Sequence, residues 1–433
     1  MEETQKIQDK KTNTKLFPIY KMFSWDLLFY YSIIYLFLTQ AKNFSASEVL
    51  LAESFFTASC LFLQIPIGLL VDKFGKKNSL VFANICMCVF ITILLFINNY
   101  KMLLLANFID AIGYVIKGVC ETNILYDSLP KGEKRGALYS SIDGVGAARY
   151  YIIDAITSII AGITFAIDPY IPVVLCLIVN IIALILSTRF KHTQSQREEE
   201  YSKETARQYF KELREAIKFT FNSKRMLCLM LFFGLMSGLT YNLSTYRSNI
   251  LNSINIPAQY FGVIFAIIQI MAGICSKGQG WLHRRFKNNT LSVLGIPYVA
   301  SCFIIGCLVD SFGEGVSNIV VILFILQGAI KGAYNVLIYR YLNNFTNRKI
   351  RVKLATIRNM FFNMISILIS LLGSFLLKVT TSGNTFLIVG GICTVCMVLL
   401  LDYMRGKVGL KPEKYNKEDL KYSSFNEGGN LKW

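Results

Sequence analysis

Two lysines stand in otherwise apolar sequence, Lys117 in IKGVCETNILY and Lys331 in IKGAYNVLIY. A charge in such a stretch costs roughly 2.5–3.5 kcal/mol if it faces lipid, so each lysine needs water, a counter-charge or a bound anion. Around Lys117, the residues Asp110, Tyr114, Glu121 and Ser128 recur at helical spacing and share its face. Gln327, Tyr334 and Asn335 do the same around Lys331. Glu121 lies one turn from Lys117 and can neutralise it. Lys331 has no acid three or four residues away, so its partner must come from another element or from a ligand. A third stretch, near the N-terminus, adds Asp26 and Tyr30. A carboxyl group that is alternately desolvated and paired changes its proton affinity, which makes Asp26, Glu121 and Asp110 candidates for taking up and releasing a proton.

The elements that carry these residues must cross a membrane. Of 433 residues, 54% are hydrophobic and 17% charged, too apolar a balance for a water-soluble surface. A spanning helix needs about 20 mostly apolar residues. Twelve such runs centre on 18–40, 46–71, 79–98, 101–129, 136–166, 169–189, 225–247, 257–281, 290–311, 316–342, 352–379 and 382–404. The first is too long for a signal-peptide core and is read as a retained helix. The net charge of +18 does not point to nucleic acid, because it follows the membrane. Loops on one side carry Lys73, Lys76, Lys77, Lys131, Lys134, Arg135, Arg284, Arg285, Lys287, Arg348, Lys349, Arg351 and Lys353, against Lys42, Lys101, Arg247 and Lys378 on the other. The positive-inside rule then predicts that both termini are cytoplasmic.

A polar stretch divides the runs six and six. The expected organisation is a tail over 1–17, a six-helix bundle over 18–189, a cytoplasmic connection over 190–224, a second bundle over 225–404 and a tail over 405–433. Within the connection, Ala206, Phe210, Leu213 and Ile217 form one apolar stripe, which predicts an amphipathic helix lying along the cytoplasmic surface. The halves echo each other in order: IKG at 116 and 330, LYDSL at 125 and IYRYL at 338, RGALYSS at 135 and RVKLATI at 351. Such a parallel repeat of six spans is one way of building two bundles around a central pathway.

After the second run comes Gly68-Leu69-Leu70-Val71-Asp72-Lys73-Phe74-Gly75-Lys76-Lys77. Gly68 is expected to let the helix end approach a neighbour, Gly75 to allow a turn costly for other residues, and Asp72 to accept hydrogen bonds at a helix junction. The pattern resembles the G-x-L-a-D-[RK]-x-G-[RK]-[RK] signature of the major facilitator superfamily, and it falls in the loop where that family carries it. A weaker echo, GQGWLHRRFKNN, follows the eighth run without the aspartate. The resemblance covers roughly residues 18–404, and GVCETNILYDSL looks like the fourth-helix ending of bacterial members. It implies an all-α fold of twelve transmembrane helices in two pseudo-symmetric bundles. It also implies a latch at Gly68, Asp72, Lys73, Gly75, Lys76 and Lys77 that holds the halves together while the outside is open. Two departures stand against the drug-exporter pattern: Asn107 occupies the place of an arginine in the fourth helix, and the fifth lacks the family's Gly-Pro.

In that family the first, fourth, seventh and tenth helices line a central cavity. The resemblance therefore implies substrate contacts from Lys117, Lys331, Tyr30, Tyr114, Gln327, Tyr334, Asn335, Tyr241 and Thr245. Thr240 and Ser244 complete the polar face of the seventh helix. The implied activity is secondary active transport by alternating access. Proton-coupled export of amphiphilic compounds is the first expectation, and import or exchange of a small carboxylate or phosphate metabolite the second. A receptor or scaffold of the same fold is the reading outside transport. The expected partners are a small-molecule substrate, the lipid bilayer and protons, with the chain a monomer in a bacterial plasma membrane. Arg149, Asp154 and Arg358 are expected in structural pairs.

Enzymatic chemistry has no support, since GxxxxGK[ST], HExxH and GxSxG are all missing and His192 and His283 fall in or beside loops. No cofactor or metal ion is expected. The cysteines, including the Cys393/Cys396 pair, read as packing residues. The loop charges make one firm prediction: an impermeant thiol reagent should label cysteines placed at Lys76, Arg285 and Lys349 only from the cytoplasm. Labelling of any of them in intact cells overturns the orientation.

Overall fold

The computed structural model describes residues 2–130, 135–192, 203–286, 289–344 and 351–407. The basic loop residues Lys131, Lys134, Lys287, Arg348 and Lys349 lie outside them, as does the tail from 408. Secondary structure among the described residues is helical: α1 Glu2–Ser24, α2 Ile34–Leu36, α3 Ala46–Phe74, α4 Lys76–Phe96, α5 Tyr100–Ser128, α6 Arg135–Ile167, α7 Tyr170–Thr188, α8 Lys203–Asn222, α9 Lys224–Ser253, α10 Ala258–Phe286, α11 Thr290–Phe312, α12 Ser317–Asn344, α13 Arg351–Val379 and α14 Ser382–Lys407. Eleven of these are long and apolar enough to cross a membrane. They coincide with the second to twelfth apolar runs. In lipid a helix satisfies all its backbone groups internally, so runs of this length and apolarity have no other stable form. Their starts are chemically marked. Ser45, Asn99 and Ser223 accept the backbone N–H groups of Glu48, Met102 and Met226 and so cap α3, α5 and α9.

The first run departs from expectation. It is not one helix over 18–40: α1 begins at Glu2 and ends at Ser24, residues 25–33 are irregular, and α2 leads into a π-helical turn, Phe37–Ala41. Asp26 explains the break. Its Oδ1 accepts the N–H of Leu27 at 3.0 Å and the hydroxyl of Tyr31 at 2.7 Å, so the side chain competes with the helix for local donors. Phe29 then takes a left-handed φ of 62°, a conformation that costs a bulky residue energy and holds only where its surroundings fix it.

The chain divides into two units, one of Met1–Ala206 with Pro257–Ala266, the other of Arg207–Ile256 with Ile267–Trp433. In the first, α1 packs on α5, α6 and α7, while α4 packs on α5 and α7 and α3 on α5. Phe17, Tyr20, Val71, Leu80, Ile116 and Phe190 lie at its core. In the second, α11 packs on α14 and α12, and α9 on α12, α13 and α14. Leu213, Ala216, Phe219 and Thr220 of the amphipathic helix α8 are buried, and Phe221 meets Phe361 of α13 at 6.2 Å. Of the expected stripe, Ile217 is half-buried, and the side chains of Ala206 and Phe210 lie outside the described residues.

Close helix contact within the second unit depends on Gly332, where an added Cβ would overlap the carbonyl of Ala272 on α10. Gly332→Ala should therefore destabilise the protein by about 1–3 kcal/mol through overpacking. Gly278→Ala, whose Cβ would meet nothing within 4 Å, should be neutral or stabilising, since alanine favours helix by about 1 kcal/mol. Detergent melting of the two variants checks the contrast, and equal behaviour refutes it.

Candidate functional site

The polar face of α5 forms the centre of the first unit. Lys117 and Glu121 are buried, Asp110 is half-buried, and Lys117 interacts electrostatically with both carboxylates. The expected neutralisation of Lys117 by Glu121 is thus shared with Asp110, two turns earlier. Tyr114 is half exposed, with its ring edge-on to Phe56 of α3 at 5.7 Å. Ser128 is buried and accepts from Asn13 of α1 at 3.2 Å.

Neighbouring helices supply partners that sequence reasoning missed. From α1, the Ser24 hydroxyl donates to Glu121 Oε1 at 3.3 Å, and Tyr20 is a further hydrogen-bond partner of the same carboxyl. Asn84 of α4 donates to the Tyr20 oxygen at 3.0 Å. Lys21 is buried and ion-paired with Asp143 of α6. Glu53 of α3 interacts with Asp110 and with Tyr30. The available signals were the spacing of Tyr20, Lys21 and Ser24 on one helical face and a carboxylate, Glu53, inside an apolar run. Nothing in the sequence says which helices those faces meet.

The broken segment supplies the remaining groups. Asp26 interacts with Asp110, and Tyr30 packs edge-on to Tyr31 at 5.2 Å and near Phe90 at 5.9 Å. Asp26, Glu53 and Asp110 therefore form a carboxylate group beside aromatic rings. Such a group can exchange a proton or favour a positive charge. Among the described residues no three His, Cys, Asp or Glu side chains are placed to hold a metal ion.

In the second unit the stripe on α12 is divided. Gln327 is buried and donates to Ser301 of α11 at 2.7 Å, and Tyr334 is fully buried with its hydroxyl on Ser237 and the Phe233 carbonyl of α9. Both sit in helix contacts in this conformation. Lys331 and Asn335 are half-buried. On α9, Tyr241 is edge-on to Phe362 at 5.7 Å, Thr240 bonds Tyr298 at 2.9 Å, and Thr245 is buried. The Arg247 guanidinium lies over Phe324 at 5.3 Å and that of Arg358 over Phe233 at 5.2 Å. Arg149 is exposed and Asp154 buried.

The loop motif is partly described. Gly75 joins α3 to α4 at φ 81°, as its turn requires. Gly68 is not placed at a close approach, since an added Cβ there meets nothing within 4 Å. The side chains of Asp72 and Lys73 lie outside the described residues. Lys77 is half-buried, and Lys76 pairs with Asp127 at the end of α5 at 2.6 Å.

The profile of the Major Facilitator Superfamily matches residues 16–321 and 298–426. The chain belongs to the major facilitator superfamily. It is accordingly a multi-pass protein of the cell membrane. A relative in Bacillus subtilis (strain 168), an uncharacterized MFS-type transporter named YxaM, is 24% identical over 242 residues, 55% of this chain. The match spans 58% of that relative's length. Among solved structures, the nucleoside transporter NupG superposes with a TM-score of 0.65 at 13% identity, over 92% of this chain and 99% of its own. A D-xylose-proton symporter gives a TM-score of 0.66 at 12% identity, over 91% and 96%. These likenesses establish the superfamily fold.

Within that fold, Asn107, at the place of the exporters' arginine, donates to the Ala52 carbonyl on α3 at 2.9 Å. Lys76 similarly ties the superfamily's signature turn to α5. A double-mutant cycle with Lys76→Met and Asp127→Asn should give a coupling of about 1 kcal/mol in melting measurements, because the pair is largely shielded from water. Strict additivity would show that the pair contributes nothing.

Proposed function

We propose that this chain is a secondary active transporter working by alternating access, and that it exports amphiphilic small molecules in exchange for protons. Glu121 carries this reading. It is a buried carboxyl that is hydrogen-bonded by two hydroxyl groups and lies in the field of two lysines, an arrangement that can hold it either ionised or protonated without leaving the first unit. Asp26 and Asp110 extend the proton-accepting group. The rings of Trp25, Tyr30, Tyr31, Tyr150 and Tyr151 around the broken segment suit the apolar part of an amphiphile, and the carboxylates suit a positive charge on it. Lys117, Tyr114, Tyr241 and Thr245 are proposed to complete the substrate contacts, and Asp72 with its loop the latch between conformations.

The basic groups of the second unit, half-buried Lys331 with buried Arg247, favour an anionic metabolite as the second reading. Proteoliposomes holding the purified chain, given a pH step and ethidium as the amphiphilic cation, test the first. Flux should follow the proton gradient and fall at least tenfold in Glu121→Gln. Flux indifferent to the gradient removes proton coupling. A carboxylate or phosphate compound carried in place of ethidium, with uptake lost in Lys331→Met, establishes the second reading, and no flux of any compound favours the receptor.

A further inference from the structure

Lys21 is among the most deeply buried lysines of the first unit, 6% exposed, and a lysine is almost never so buried without dedicated partners. It has them on three sides. Its Nζ meets Asp143 Oδ1 of α6 at 2.5 Å and lies 4.5 Å from the ring centre of Trp25. Its stem runs across Gly146 of α6, where an added Cβ would stand 3.0–3.3 Å from three of its carbons. The third side is Glu121, which also interacts electrostatically with Lys21. Tyr20, Lys21 and Ser24 stand on the part of α1 that meets both α5 and α6, so one ammonium group has a carboxylate available on each neighbour.

The hydrogen bonds around Glu121 have a direction. Asn84 donates to the Tyr20 oxygen, which leaves the phenol proton for Glu121, and Ser24 donates to the same carboxyl. The charges then decide how far this ionised form is supported. Lys21 and Lys117 are two cations facing the carboxylates of Glu121, Asp143 and Asp110, and Asp110 faces those of Asp26 and Glu53 as well. The carboxylates outnumber the cations, so the group must hold protons, because an unbalanced charge in buried surroundings is expensive. Asp110 has Lys117, and Asp143 holds Lys21. Glu121 is thus a member of the group whose two lysines are each engaged by another carboxylate, and it takes up one of the protons.

We propose that Lys21 is a counter-charge shared between Asp143 and Glu121. With Glu121 protonated, Lys21 stays on Asp143 and ties α1 to α6. When Glu121 releases its proton to water, Lys21 is drawn toward it, the pair with Asp143 loosens, and α1 shifts its attachment from α6 to α5. Only the partner of Lys21 changes. Lys21 and Asp143 are thus positioning residues for the proton site. The titratable and charged groups around it are Tyr20 and Lys21 from α1, Lys117, Asp110 and Glu121 from α5, and Asp143 from α6, with Asp26 of the broken segment and Glu53 of α3 acting on Asp110.

This inference rests on the proton-coupled reading but is tested without a substrate. The infrared band of protonated carboxyl groups is titrated in the purified full-length chain, with the Glu121 part identified by subtracting Glu121→Gln. Lys21→Met removes a cation from Glu121, so its midpoint should rise by about one pH unit. Asp143→Asn frees Lys21 for Glu121 alone, so the midpoint should fall by a similar amount. Lys21→Arg should stay close to the parent. If Lys21→Met melts early while the Glu121 midpoint stays in place, Lys21 is a structural ion-pair member and the proposal fails. Should Lys21→Met not fold, an unmoved midpoint in Asp143→Asn overturns it equally. A midpoint that moves as described in a chain whose flux ignores pH leaves charge sharing intact and removes proton coupling instead.

Discussion

Charge carried into a hydrocarbon layer must bring its compensation with it, because neither water nor lipid will provide it at low cost. In the first unit this requirement organises one region of the bundle. Lys117 lies in the field of two acids of its own helix, Lys21 is paired with an acid of α6, and Glu121 accepts from hydroxyl groups of α1. Each compensation crosses from one helix to another or spans successive turns of one. The packing of α1 on α5 and α6 is therefore also the electrostatics of the site, and a change of protonation at Glu121 alters the forces between helices directly.

The broken first span follows from the same physics. Irregular backbone inside a membrane protein is tolerated where other protein groups satisfy it. Asp26 provides that satisfaction by accepting the Leu27 N–H and the Tyr31 hydroxyl. The same carboxylate lies in the field of Asp110 and near Tyr30. One side chain thus ends a helix, holds a left-handed residue three positions later, and joins an acidic group. Substituting it would disturb backbone and charge together, which makes Asp26 a poorer probe of proton binding than Glu121.

Much of the architecture was legible because long apolar runs leave a chain in lipid little alternative to helix, and because Gly75 stands where only a turn fits. The break at 25–33 was hidden, since the composition of WDLLFYYS is apolar enough for a span and the competing bonds of Asp26 are local geometry, not periodicity. At the site, the α5 face was readable from spacing alone, as Asp110, Lys117 and Glu121 belong to one helix. Spacing says which residues travel together; it does not say what they face. Gln327 and Tyr334 share a stripe with Lys331, yet they meet Ser301 and Ser237 inside the unit. Lys21 and Asp143, 122 residues apart, become partners only through the rotation of two helices about their axes.

Rigidity determines where a change at Glu121 can be expressed. Gly113 of α5 sits so close to α4 that an added Cβ would stand 3.0 Å from the Ala83 carbonyl and 3.1 Å from Cys86. Close-packed interiors transmit displacement and do not absorb it. Helices α4 and α5 thus form a stiff pair, and Lys117 and Glu121 are fixed to it. The side chain of Lys21 and the non-helical residues 25–33 that follow it on the same chain segment stand outside that pair. A force that pulls Lys21 toward α5 or releases it to α6 therefore acts at the last turn of α1, immediately before the backbone held by Asp26. Protonation of one carboxyl and the geometry of the aromatic residues beyond the break are in this way mechanically connected over about one helical turn, roughly 5 Å.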